Sequence, residues 1–251
     1  MRNYFVFGGI DCRDYGIYIS GNKKQNIPQR PYEVVQIPGR MGDLIVGGDM
    51  LANEEIVYPA FCAPVNGAYG NYATYQEAIA AFRNALLSVT GYATLTDSYD
   101  SGHYRKAVFT GPIAVETNDT LDAGSFDLVF NAKPQRYIVG GDTPVTVAAG
   151  TTKAIACAGK RSAPIITVTS TGRFTISGVG GGTVRILEND DVVIVDCERM
   201  DCHDGYGGSE NLTTQVPAFP QINKPFVTMS TSVNVTAVGV DLSIVFNWYE
   251  I

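Results

Sequence analysis

Positive charge is scarce in this chain: 18 lysines and arginines stand against 25 aspartates and glutamates, for a net charge of −7. The basic residues are scattered, and their longest run is Lys23–Lys24. A phosphate backbone or an anionic bilayer would find no basic patch to hold, so neither stable nucleic-acid binding nor membrane insertion is expected. Long hydrophobic runs are also missing, and none approaches the ~18 residues of a membrane helix. The few apolar residues ahead of Gly8–Gly9 fall short of a secretory h-region, which makes assembly in a cytoplasm the expectation.

Catalytic vocabulary is equally thin. There are two histidines, His103 and His203, and no G-x-S-x-G sequence. A nucleophilic triad needs a histidine held by an acid and facing a serine, so no catalytic residue is assigned and a non-enzyme is expected. The five cysteines (Cys12, Cys62, Cys157, Cys197, Cys202) are odd in number and widely spread, as for reduced, buried thiols. "DCERMDCHD" at Asp196–Asp204 brings Cys197, Cys202 and His203 together, but a structural zinc needs four ligands and no fourth is evident. Cys197 facing a core is the simpler reading, and no metal or cofactor is expected. "SGVGGGTV" at Ser177–Val184 lacks the Lys-Ser/Thr ending and following helix of a phosphate loop, so it reads as a hairpin. The pairs Glu54–Glu55 and Asp190–Asp191 read as turn and edge residues rather than glycosidase carboxylates.

What is abundant is β structure. Glycine numbers 27, and β-branched runs separated by Gly, Asn and Asp recur along the chain. Strands are expected near residues 2–7 and 15–19, and an arm follows over about 29–60, apolar on both sides of "PGRMGD". An isolated two-stranded ribbon is marginal in water, so the arm needs something to pack on. One helix is expected over about 74–90. Thr74 and Glu77 form a capping box, Tyr75, Ile79, Phe82 and Leu86 make a single stripe, and Gly91 stands where a left-handed cap would fall. "GGDTPVTVAAGTT" from Gly140 reads as the link between an N-terminal domain, 1–141, and a C-terminal one, 142–251. Val192–Val195 looks like a central strand, and Val233, Val235 and Ala237 like the buried side of another. The fold class is therefore mainly β, built of β-sandwich domains with one amphipathic helix.

In order, "GIDCRDYGIYI", "IPGRMGD", the helix, "LTDSYDSGHYRKAVFTG", "FNAKPQRY", "SAPIITVTSTG", "VIVDCE" and "FPQINKPFVTM" resemble the distal tail protein family of long-tailed bacteriophages. The pattern departs from the family in two places. Gln221 and Ile222 follow the Phe-Pro pair where Gly and Asn are usual, and the end "IVFNWYEI" lacks the frequent Arg-Trp. The resemblance implies a tail-tube-like β domain with an extended hairpin arm, then a galectin-like sandwich. It implies a ring, typically six-fold, that joins the tail tube to the baseplate or tail tip of the virion. Its partners would be further copies of itself, the tail tube protein, a tail-associated tip or hub protein, and receptor-binding or baseplate proteins on the outer domain.

On this reading the arm crosses to the next copy, with Val35, Ile37, Arg40, Leu44, Ile56 and Tyr58 as interface residues. The loop tyrosines Tyr69, Tyr72 and Tyr206 are further interface anchors. An acidic lumen carrying Asp43, Asp49, Glu54 and Glu55 would let DNA pass without sticking. Two rivals remain: a carbohydrate-binding module contacting the host surface, and a tail-associated hydrolase.

Overall fold

The computed structural model describes residues 2–21, 24–25, 28–47, 50–65, 67–118, 123–157, 159–169, 174–179, 182–186, 192–205, 212–213, 216, 219–222 and 231–251. Tyr206, Asp49, Asp190, Asp191, Gly180 and Gly181 lie outside them. Two compact units emerge, Met1–Arg136 with Ile251 and Tyr137–Glu250. The division falls inside a strand, a few residues before the glycine-rich stretch at Gly140.

The first unit contains β1 (Phe5–Phe7), β2 (Ile10–Asp11), β3 (Ile17–Ile19), β4 (Lys24–Gln25), β5 (Tyr32–Val35), β6 (Leu44–Gly47) and β7 (Glu54–Cys62). Helix α1 (Tyr75–Ser88) follows, then β8 (Ala93–Asp97), β9 (His103–Phe109), β10 (Glu116–Asn118) and β11 (Ala123–Ile138). The main sheet runs β2-β1-β8-β9-β11-β7-β3, with β10 on β11 and β4 on β7. Its centre is the antiparallel pair β7–β11, in register from Gly124↔Cys62 to Ala132↔Glu54. Strand residues alternate between faces. Ile56, Tyr58, Ala60, Phe126, Leu128 and Phe130 therefore point into one core, and Val57, Pro59, Phe61, Asp127 and Val129 point out of it.

That core is aromatic. Phe5 stacks on Tyr58 at 5.4 Å between centroids and meets Phe130 edge-on at 5.5 Å. Helix α1 adds Tyr75, Ala78, Phe82 and Leu86, all buried, with the Phe82 ring 5.3 Å from Tyr15. Ile79, placed on the same stripe by periodicity, is only half-buried, and Ala78 takes the inner position. Thr74 caps as expected, its Oγ1 accepting from Glu77 N at 3.4 Å. The C-terminus differs: Val89 turns extended and its N–H donates to Leu86 O, so Gly91 (φ 72°) serves the turn beyond rather than the cap. Thr74→Ala should cost only about 0.5–2 kcal/mol, while Phe82→Ala should cost about 3–5, and denaturant melts will separate the two.

Two glycines fix the loop before the helix. Gly16 and Gly70 have φ of 64° and 60°, and a Cβ on Gly70 would lie 2.1 Å from Asp14 O. Only glycine permits this approach. It seats Tyr69 and Tyr72 inward, where Tyr72 stacks on Tyr15 at 5.6 Å and Tyr69 is buried. Tyr69 is thus a core residue rather than the exposed anchor expected of a Gly-rich loop, and Tyr72 is half-buried against that core.

The second unit is a β-sandwich. One sheet orders β12 (Val145–Val147), β20 (Leu242–Val245), β14 (Ile165–Val168), β17 (Val193–Asp196) and β18 (Asp201–Asp204). The other orders β13 (Thr152–Ala156), β19 (Ser232–Val238), β15 (Phe174–Val179) and β16 (Gly182–Ile186). Ile166, Val195 and Ile244 from the first sheet share one core with Ile176, Val235 and Ala237 from the second. β21 (Tyr249–Glu250) pairs with β11, near where Ile138 N donates to Trp248 O at 2.9 Å.

Candidate functional site

The feature that stands apart is the arm. β5 and β6 pair only with each other among the described residues, in the register Tyr32↔Gly47, Glu33↔Val46, Val34↔Ile45, Val35↔Leu44. Ala52 N donates to Gln29 O at 2.8 Å and closes the root, while Arg40 N donates to Ile37 O at 3.1 Å in the tip. Gly39 and Gly42, with φ of 83° and 80°, supply the left-handed positions that turn requires.

Val34 and Ile45 share one face of the ribbon, and Val35 and Leu44 share the other. All four are exposed, as are Tyr32, Ile37, Val46 and Met50, and Met41 at the tip is 101% exposed. A ribbon apolar on both faces has no solvated side of its own. It is also an unpaired two-stranded edge, which sequences normally blunt with charge. The arrangement is built to be covered.

The expected interface residues divide. Val35, Ile37, Arg40 and Leu44 do lie exposed on the arm. Ile56 and Tyr58, at 1% and 0% exposure, are withdrawn from it, since both are filled into the core of their own unit. The arm ends near Ala52, and "EEIVYPA" is the start of β7 rather than the returning arm strand. Tyr32, Val34, Met41, Ile45 and Val46 are exposed on the arm as well. Their signal was the loss of alternation: apolar residues on consecutive positions of a strand with no core to fill.

Polar clusters elsewhere have structural occupations. Glu54 was expected in an acidic lumen, but its side chain is 0% exposed and pairs with Arg105. Nearby, Tyr58 Oη donates to Asp97 Oδ2 at 2.5 Å, and Asp97 Oδ1 accepts from Tyr99 N and Asp100 N. Burial and the Asp97 carboxylate both push the Tyr58 phenol up. His103 Nδ1 lies 2.8 Å from Asp100 Oδ1 and 3.0 Å from Arg136 Nη2, with no serine in the cluster. The cavity these residues line holds only about 20 Å³, room for a single water. Asp43 is exposed on the arm and Glu55 on the outer face of β7.

Cys197 and Cys202 are buried around the β17–β18 hairpin, whereas His203, next in the strand, faces the other way and contacts Asp204 O at 2.6 Å. Among the described residues no group of three His, Cys, Asp or Glu side chains is placed to hold a metal. Burial pushes the Cys12 and Cys197 thiols up to about 12 and the Cys202 thiol up to about 11. Cys62 and Cys157 are buried as well. A thiol must ionise and be reached to react. Native protein at pH 8 should therefore leave a chromogenic disulfide reagent untouched, and denaturant should release all five thiols.

No protein-family model matches the chain, and no curated protein sequence matches it. The fold does. Over 100% of this chain and 99% of the other, it superposes on the Dit protein of phage SPP1 with a TM-score of 0.69 and 12% identity. This chain has the Dit fold. That protein is described as a paradigm of the hub adsorption apparatus in phages that infect Gram-positive bacteria. Chains of the phage p2 baseplate in its activated conformation, with Sr and with Ca, also align, at TM-scores of 0.46 and 0.47 and identities of 10% and 11%. They cover 96% and 97% of this chain, and 97% of their own length in both cases. The Dit match spans both units, and so extends beyond the arm-bearing domain.

Proposed function

We propose that this chain is a structural distal tail protein of a long-tailed phage. Copies of it close into a ring, six in number, that joins the tail tube to the baseplate or tail tip and anchors the host-recognition proteins. One observation carries the reading: a ribbon apolar on both faces and, among the described residues, unpartnered by any other strand, in a chain that shares the SPP1 Dit fold over its full length. A surface that pairs with a different surface on the next copy, and closes by rotation, gives a ring without exposed ends. The partners beyond the ring are the tail tube on one side, and a tip or hub protein with receptor-binding proteins on the other. The chain acts by assembly and carries out no chemistry of its own.

The test is the native mass of the purified protein by sedimentation or mass photometry. A single closed species of six chains, persisting on dilution through the micromolar range, is expected. A monomer at all concentrations would overturn the reading.

A further inference from the structure

We propose that the arm tip docks in a groove on the outward face of β7 and β11 of the neighbouring copy. The groove measures about 470 Å³ and is lined by Pro59, Phe61, Pro112, Glu116, Asp127 and Val129, among others. It rests on the ring reading in one respect only, that copies of this chain assemble.

The groove has a cause in the sequence. β3 pairs with β7 at Ile17↔Cys62, Tyr18↔Phe61 and Ile19↔Ala60, Ser20 N then donates to Pro59 O at 2.7 Å, and the next pairing among the described residues is Lys24↔Val57 on β4. Between them stands Pro59, which has no N–H to give to a ladder. That missing donor lies beside an outward-facing row of Phe61, Pro59 and Val57, cross-strand from Ser125, Asp127 and Val129. An apolar floor with carboxylates on its walls results, and no Lys, Arg or His lines it among the described residues.

The arm tip has the complementary chemistry. Met41, fully exposed, is a flexible apolar side chain suited to an irregular floor, and Arg40 stands beside it to face Glu116 and Asp127. The second tip charge, Asp43, has no basic partner in the groove and contributes nothing favourable there. Met41 does not occupy its own chain's groove, because it is 101% exposed.

Tip and groove are also different surfaces. The arm leaves the sheet at the Ala52 end of β7, whereas Pro59 and Phe61 lie roughly 20–30 Å further along the strand at ~3.3 Å per residue. Docking of one on the other is head-to-tail, the class of contact that rotation closes into a ring.

The experiment places one thiol on each surface of the full chain, as Met41→Cys with Asp127→Cys, and treats assembled protein with a short flexible bismaleimide. The native thiols are buried and do not compete. A ladder of covalent multimers is expected from the double variant, and none from either single variant. In parallel, Arg40→Glu should raise the concentration needed for assembly roughly 3- to 10-fold, the scale of an exposed ion pair turned repulsive. Asp127→Arg in the same chain should restore it, and Asp43→Asn should leave assembly equal or tighter. Rings of normal mass with neither crosslink nor charge effect would overturn the groove and leave the ring reading standing. Wild-type protein that stays monomeric would overturn both.

Discussion

A chain lacking Val34–Val46, bridged by a short Gly/Ser turn, should fold to a monomer that keeps a cooperative thermal transition and has no capacity for closed assembly. The folding half of this expectation follows from the arm's isolation. β5 and β6 pair only with each other among the described residues, and their side chains are absent from both core clusters. The root hydrogen bond from Ala52 N to Gln29 O stays in place, so β7 keeps its register on β11. The assembly half follows from magnitude. Burying four side chains the size of Val34, Val35, Leu44 and Ile45 contributes roughly 6–12 kcal/mol gross per arm, at about 1.5–3 each. Association costs on the order of 4–15 kcal/mol in lost translational and rotational freedom, so losing the arm removes the surplus. Sedimentation of both proteins at matched concentration reads the result. An unchanged assembly mass would show that the arm does not join copies.

How much of this was readable beforehand depended on whether a residue's environment is set locally. The helix was, because the Thr74–Glu77 box and the Tyr75–Phe82–Leu86 spacing express hydrogen bonding and burial within a few turns. Its C-terminus was not, since Gly91 satisfies a turn signal wherever it falls and the chain chose Val89 to leave the helix. The arm was legible as an element without a core. Its end was not, because "EEIVYPA" alternates Glu54, Ile56, Tyr58 and Ala60 inward in the way any half-buried strand does. Only the pairing with β11, more than sixty positions away in the chain, tells that strand from an arm strand. Glu54 was opaque for the same reason: its partner Arg105 arrives on β9. The family resemblance lay in the order of weak motifs. With the SPP1 protein the chain shares its fold at 12% sequence identity.

Breaking the Glu54–Arg105 pair should cost as much stability as truncating Phe82 in the core. Its side chains are 0% and 11% exposed. Burial pushes the Arg105 guanidinium down from its ordinary value, and the Glu54 carboxylate beside it pulls the other way. Removing one member deprives the other charge of its buried ion-pair partner, which typically costs about 3–5 kcal/mol. In a protein of this size that lowers the melting temperature by roughly 6–20 °C. Replacing both by well-packed apolar residues should recover most of the loss, because the pair's mutual attraction only offsets its own desolvation. Glu54→Leu, Arg105→Leu and the double variant therefore form a cycle with strong coupling, best measured in the arm-deleted chain so that assembly does not mask unfolding. The two single variants should differ in pH dependence. In Arg105→Leu the buried carboxylate can escape its penalty by taking up a proton, which the folded state then holds more tightly than the unfolded one. Stability falls with rising pH wherever the folded state binds more protons, so this variant's deficit should shrink between pH 8 and pH 5. In Glu54→Leu the stranded guanidinium stays charged throughout that range, and its deficit should stay flat. Equal and flat deficits below about 1 kcal/mol in both variants would mean that water reaches the pair and that it behaves as a surface salt bridge.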